Sequence, residues 1–323
     1  MIRPTAISTF AVVCGAAALA ACAGSGVAQG IPSPTAATLY AVGAGSGPTG
    51  IADGPDGAIW FTDFDSNVIG RITTGGTITD YPLSTDAAPS SIASDGANAL
   101  WFTEYRTGKI GRIATDGTLT EYPLPSPSSE PNSIVLGPDG ALWFAEQFGQ
   151  AIGRMTTGGA LTEYPLNPSS NAGPIIVGPD GALWFCEIGS NHIGRITTTG
   201  SVTEYAIPTA SSFPDGIAVG SDGAVWFSET WGSKIGRITV AGSMTEYPLP
   251  AGITHPQAMT ARGGSIWFLY EGGIGRIQPN GNTTTNAVAS IDTNSINAIT
   301  QGPDGALWFT ERVSNAIGRI SLP

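Results

Sequence analysis

Apolar and polar positions alternate in short runs along the chain from residue 38 onward, and the runs recur in a fixed order. Around Trp143 the order is Asn132-Ser133-Ile134-Val135-Leu136, Gly137-Pro138-Asp139-Gly140 and Ala141-Leu142-Trp143-Phe144-Ala145-Glu146. It continues with Ala151-Ile152-Gly153-Arg154-Met155-Thr156, Thr157-Gly158-Gly159 and Ala160-Leu161-Thr162-Glu163-Tyr164-Pro165-Leu166. Each run of about five residues is rich in β-branched and aromatic side chains and bounded by Gly, Pro or Asp, which marks a strand. Asp-Gly and Gly-Gly supply tight hairpin turns, because glycine takes positive φ at no steric cost. No window shows the i, i+3, i+4 apolar spacing of a helix. One unit is therefore four short antiparallel strands, called a to d.

The unit repeats. Tryptophans followed by Phe stand at 60, 101, 143, 184, 226, 267 and 308, each 41 or 42 residues after the last. Four-stranded units at this period are β-propeller blades, and a blade buries its two faces only by stacking on its neighbours. The pattern predicts an all-β, seven-bladed propeller with the Trp-Phe pair of strand b between blades. The last unit stops at Ile317-Gly318-Arg319-Ile320-Ser321-Leu322-Pro323 and has no strand d. Thr38-Leu39-Tyr40-Ala41-Val42 matches the pattern of Thr162 to Leu166 and is expected to complete the last blade, sealing the ring and covering a sheet edge.

The 45 glycines and the 12% charged residues of this 323-residue chain suit many strands joined by tight turns. Residues 1–22 fall outside the pattern. Arg3, an apolar stretch from Ala6 to Leu19 and the ending Leu19-Ala20-Ala21-Cys22 read as a secretory signal. The ending resembles a bacterial lipobox, which implies cleavage before Cys22, acylation of its thiol and an extracytoplasmic, membrane-anchored protein; an ordinary signal cut near Ala21 or Ala28 is the alternative. Residues 23–37 read as a flexible tether and 38–323 as the propeller. Net charge is −12 and only two lysines occur, so there is no basic stripe for nucleic acid. The propeller is expected to be a monomer. Cys186 is the one cysteine beyond Cys14 and Cys22, and reads as a small packed thiol.

Propeller loops d–a and b–c open on one face, so chemistry is expected just before strand a and just after Trp-Phe. The second set is acidic: Asp63, Glu104, Glu146, Glu187, Glu229 and Glu311, with Tyr270 replacing the acid in blade six. Each acid is followed eight residues later by Arg71, Arg112, Arg154, Arg195, Arg237 or Arg319, and repeated ion pairs across the b–c hairpin are the expectation. Blade six departs from the others, with a short b–c link and with His255 and Gln257 flanking Pro256 ahead of strand a. His192 reads as a rim residue. Asn132, Asp215 and Asn297 precede their a strands and are expected to be able to approach the axis.

Repeats of Gly-Pro-Asp-Gly-Ala-Leu-Trp-Phe-Thr-Glu, Ile-Gly-Arg-Ile and Thr-Glu-Tyr-Pro-Leu-Pro resemble the virginiamycin B lyase (streptogramin lyase) family over residues 38–323. The resemblance implies a seven-bladed propeller whose active members linearise cyclic depsipeptides by Mg²⁺-assisted C–O elimination, which needs a base for the α-proton and a metal on the ester carbonyl. It implies a site of Glu and His at positions held here by Ser295, Asn297, Glu311 and Val313, with a further histidine where His255 or Gln257 lies. Of the first four only Glu311 keeps its chemistry. The expectation is a propeller that binds a small molecule, peptide or glycan on its top face, with a degenerate lyase site. One alternative is a working lyase in which His255 and Glu311 act and Glu311 holds Mg²⁺. The other is a lactonase-like hydrolase with an axial metal on Asn132, Asp215 and Asn297.

Overall fold

Strand-forming alternation and glycine turns give the observed architecture directly. The computed structural model describes residues 37–271, 273–287 and 296–321. The signal, Cys22, all but the last residue of the tether and Ser295 lie outside the described residues. Within them the chain forms β1 (Thr38–Ala41) and then seven groups of strands. Blade one holds β2 (Pro48–Asp53), β3 (Ile59–Asp63), β4 (Val68–Ile72) and β5 (Ile78–Pro82); blade two holds β6 (Pro89–Ser94), β7 (Ala99–Glu104), β8 (Lys109–Ala114) and β9 (Leu119–Pro123). Blade three has β10 (Pro131–Leu136), β11 (Leu142–Glu146), β12 (Ala151–Met155) and β13 (Leu161–Pro165), and blade four β14 (Ala172–Val177), β15 (Leu183–Glu187), β16 (His192–Ile196) and β17 (Val202–Ala206). Blade five has β18 (Pro214–Val219), β19 (Val225–Glu229), β20 (Lys234–Ile238) and β21 (Met244–Pro248). Blade six has β22 (Met259–Arg262), β23 (Ser265–Tyr270), β24 (Gly273–Ile277) and β25 (Thr283–Ala287), and blade seven β26 (Ile296–Gln301), β27 (Leu307–Glu311) and β28 (Ala316–Ile320).

Each blade is a four-stranded antiparallel sheet, and in blade seven the outer strand is β1, ordered β1-β28-β27-β26. Thr38 pairs with Arg319 and Ala41 with Ala316. The sequence expectation for closure therefore holds. The a strands contact one another blade to blade all the way round, from β2 to β6 and on to β26 and back to β2, so they enclose the axis.

The core lies between blades. In each of seven layers the Trp of one blade meets the Phe of the next: Trp143 with Phe185, Trp184 with Phe227, and at the closing seam Trp308 with Phe61. All but Trp267 among these tryptophans are wholly buried. Glycine in Ile-Gly-Arg has a packing reason: a Cβ on Gly153 would stand 2.1 Å from the Phe144 ring, so the side chain of strand b uses the space that strand c leaves.

The expected acid–arginine pairs do not form. The b–c loop of blade three has four residues and pairs Glu146 with Ala151, while Arg154 pairs with Trp143, three residues further along. An odd offset puts acid and arginine on opposite faces. The arginine instead meets the a–b turn: Arg154 Nε donates to Asp139 Oδ2 at 2.7 Å, and Trp143 Nε1 donates to Oδ1 of the same carboxylate at 3.0 Å. Burial raises the Asp139 pKa, but these hydrogen bonds outweigh it and hold the carboxyl below its ordinary range. The guanidinium also lies 5.9 Å from the Trp143 ring centroid, and Tyr164 stacks on that ring at 5.6 Å. Asp56, Asp180, Asp222 and Asp304 make the same arginine bridge.

Candidate functional site

Strand a begins opposite the acid that ends strand b: Pro48 pairs with Asp63, Pro131 with Glu146, Pro214 with Glu229 and Ile296 with Glu311. The residue just after this position then turns to the axis. Going round the blades these are Thr49, Ser90, Asn132, Gly173, Asp215, Gln257 and Asn297. A register shift follows at once in blades one to five and in blade seven. The ring lines a cavity of about 480 Å³. Its lower wall includes Ile217, Met259 and Ile299, and its mouth includes Phe64, Tyr105, Gln147, Ile188 and Arg312.

Four residues singled out by the sequence thus meet on one ring: Asn132, Asp215, Gln257 and Asn297. In blade six Gln257 lines the cavity and His255 does not. His255 has φ +52°, like Glu130 and Phe213 ahead of Pro131 and Pro214, and so stands two residues before the ring position that Gln257 fills. His255 sits half-exposed with Nδ1 3.1 Å from Glu271 Oε2. Val313 is 68% exposed and Tyr270 is buried between blades five and six; neither lines the cavity. Burial pushes the Tyr270 phenol up. His192 bonds the Ser190 carbonyl at 2.7 Å. Cys186 is buried, as expected of a packed thiol.

Glu311 is wholly buried, as are Glu104, Glu187 and Glu229. The acid ring stands beneath the b–c loops, away from the cavity wall. Its members hold those loops: Asp63 Oδ1 accepts from the backbone N–H of Gly47 at 2.8 Å and of Ser66 at 3.1 Å. Glu104 accepts from Thr107 Oγ1 at 2.6 Å and Glu187 from Ser190 Oγ at 2.7 Å. Blades three and five have glycine at this third loop position, Gly149 and Gly232. Burial first, then the charge of Glu163 or Glu246, pushes Glu146 and Glu229 up to about 7.

The residue after five of the six acids is what sequence reasoning missed: Phe64, Tyr105, Gln147, Ile188 and Arg312. The signal was there, since side chains alternate along a strand and a buried acid puts its successor on the other face. Phe64 and Tyr105 have ring centroids 5.8 Å apart, and the Arg312 guanidinium lies 5.0 Å from the Phe64 centroid while it holds Asp65 at 2.8 Å. Tyr105 Oη and Asn132 Nδ2 each approach Gln147 Oε1 at 3.4 Å. Among the described residues Asp215 is the one carboxylate on the cavity wall, and its burial pushes its pKa up to about 6.

Among the described residues no three His, Cys, Asp or Glu side chains gather as a cation site. A divalent cation bound by protein oxygens wants more than one carboxylate or a full set of carbonyls. Asp215 with neighbouring amides does not fit a protein-held Mg²⁺, and Glu311 is not at the cavity, so no catalytic step is derived through a metal.

Seven four-stranded antiparallel blades around a polar-walled axial cavity define a seven-bladed β-propeller. Residues 35–290 match the virginiamycin B lyase family, and the chain belongs to it. It is similar to a solved streptogramin B lyase at 36% identity and TM-score 0.83, over 89% of this chain and 97% of that one. It is similar also to a catalytically inactive histidine-to-alanine variant of virginiamycin B lyase from Staphylococcus aureus, solved with quinupristin, at 38% identity and TM-score 0.81, over 89% and 100%. A putative gluconolactonase, 16% identical with TM-score 0.56 over 90% and 93%, shares the fold alone. No curated protein matches.

Proposed function

We propose that this propeller binds a small molecule or peptide in its axial cavity, does not open cyclic depsipeptides, and is held outside the cytoplasm by lipid on Cys22. One observation carries the reading of the site: the cavity wall among the described residues has no imidazole. The chain has two histidines, His192 and His255, and both stand outside it. A lyase must remove a proton held weakly by carbon, and does so with a base whose pKa lies near the working pH. The S. aureus relative with one histidine replaced by alanine is described as catalytically inactive. Here Asn297 occupies the ring position where the resemblance implies a histidine, and an amide cannot serve as the base. Amides and hydroxyls on five of the seven ring positions suit hydrogen bonding to a polar ligand instead.

Incubating the purified protein with quinupristin and Mg²⁺ and following ring opening by mass spectrometry is expected to show no linear product. Turnover above a no-protein control, lost in Glu311→Ala or His255→Ala, would sink this reading in favour of a rearranged lyase.

The anchoring half has its own test. Acylation of Cys22 would supply the hydrophobic anchor, and two or more acyl chains are needed for stable attachment. Cys22→Ser is expected to move the protein from the membrane to the soluble fraction. A wild-type protein already soluble after fractionation contradicts the lipobox.

A further inference from the structure

The ring has one charged member, and that member has no counter-charge. Asp215 lines the cavity, and among the described residues it has neither a hydrogen-bond donor nor a cation; burial is the whole cause of its raised pKa. A carboxylate half-buried in the cavity wall and left unpaired gains most from a ligand that brings the opposite charge. The other polar ring residues are neutral: Thr49, Ser90, Asn132, Gln257 and Asn297. Two guanidiniums flank Phe64, and both are paired: Arg312 with Asp65 in a two-point contact at 2.8 and 3.1 Å, and Arg106 with Asp86 at 3.1 Å. Asp215 belongs to blade five. In a seven-fold ring the blades three steps away are one and two, and these carry Phe64 and Tyr105 at the mouth. The cavity therefore has a carboxylate on one wall and an aromatic pair on the facing wall.

Resting on the reading of the cavity as a binding site, we infer that it takes a protonated aliphatic amine joined to an aromatic body, with the ammonium on Asp215 and the ring toward Phe64 and Tyr105. An ammonium supplies the charge and donors that the carboxylate lacks, and the attraction is little screened in a recessed cavity. The aromatic wall adds area burial and ring contact. An anionic ligand would meet Asp215 with like charge.

The probes are tyramine and tyrosol, which share the phenol and chain and differ in carrying an ammonium or a hydroxyl. Titration calorimetry at pH 7.5 is expected to show tyramine at least tenfold tighter. Asp215→Asn, near-isosteric and checked for an unchanged melting temperature, is expected to reduce that preference to less than twofold without weakening tyrosol. The wild-type protein supplies a second measurement that needs no variant. The preference should fade as pH drops from 7.5 through 6 toward 5, because Asp215 takes up its proton near 6 while the amine stays charged.

Other titratable groups on the packed strands are Cys186 and Glu187 of β15, Glu229 of β19 and Arg262 of β22, with His255 ahead of β22; β14 has none. Any part of the pH effect that persists in Asp215→Asn belongs to them. Equal affinity for the two probes, a preference untouched by Asp215→Asn, or no binding of either overturns the inference. Ring opening of quinupristin is a separate readout and bears on the lyase question alone.

Discussion

Removal of residues 38–42 is expected to lower stability by roughly 5 kcal/mol or more, a large share of the usual native margin of about 5–15 kcal/mol. β1 is the only outer strand of blade seven and pairs with β28 over four residues, and the Val42 N–H adds a bond to the Asn315 carbonyl at 2.9 Å. Each lost ladder bond is worth about 1 kcal/mol. Tyr40 contributes more. It stacks on Trp308 at 5.7 Å, in the role that Tyr164 plays for Trp143 inside blade three. Its ring also covers the turn of the next blade, where a Cβ on Gly76 would stand 2.5 Å away and where φ of +91° calls for glycine anyway. Deletion thus uncovers a tryptophan, opens an edge and loosens the seam between blades seven and one. Thermal melts of the deleted and intact chains decide the matter, and Tyr40→Ala alone should cost about 2 kcal/mol through the lost ring. Equal melting temperatures for deleted and intact protein would mean that closure does not depend on this strand.

A protein this acidic is expected to be more stable near pH 5 than near pH 8. Glu146 and Glu229 are buried under loops that offer glycine where Thr107 and Ser190 offer hydroxyls, and both titrate at about 7. In the unfolded chain a glutamate titrates near 4.3. Between these values the folded state holds more protons than the unfolded state. Stability is then fully present below about 4.3 and is lost as pH rises through about 7. Each glutamate contributes on the order of 2–3 kcal/mol to the drop. The Asp139-type carboxylates, whose pKa is held down, act in the opposite sense and withdraw support once pH falls below the ordinary aspartate range. The maximum is set between the two. Urea melts of wild-type protein from pH 4.5 to 8.5 read the slope. Glu146→Gln with Glu229→Gln should flatten it above pH 5, and a slope unchanged in the double variant would show that these two residues do not carry it.

Repetition made the fold legible. Seven copies of Trp-Phe in one register, turns placed by Asp-Gly and Gly-Gly, and a terminal run that matches a missing strand together specify blades, their number and the seam. Each of these is a local pattern, and a period-2 or 41-residue rhythm survives without knowledge of any distance. Sequence also singled out Asn132, Asp215, Gln257 and Asn297, because the position ahead of strand a can be counted from the repeat.

What the sequence by itself did not determine was which face each acid took and what it met. Glu146 and Arg154 look like partners at eight residues' spacing, yet a four-residue loop shifts the pairing by an odd number and sends the arginine to Asp139. Glu311 has the residue type of a catalytic group and the burial of a structural one. Conversely Phe64, Tyr105 and Arg312 have no shared residue type, and only the closing of blades around an axis brings them to one cavity with Asp215. A strand's alternation is written locally. The convergence of seven strands on one axis is a property of the closed ring, and so is the isolation of a single carboxylate within it.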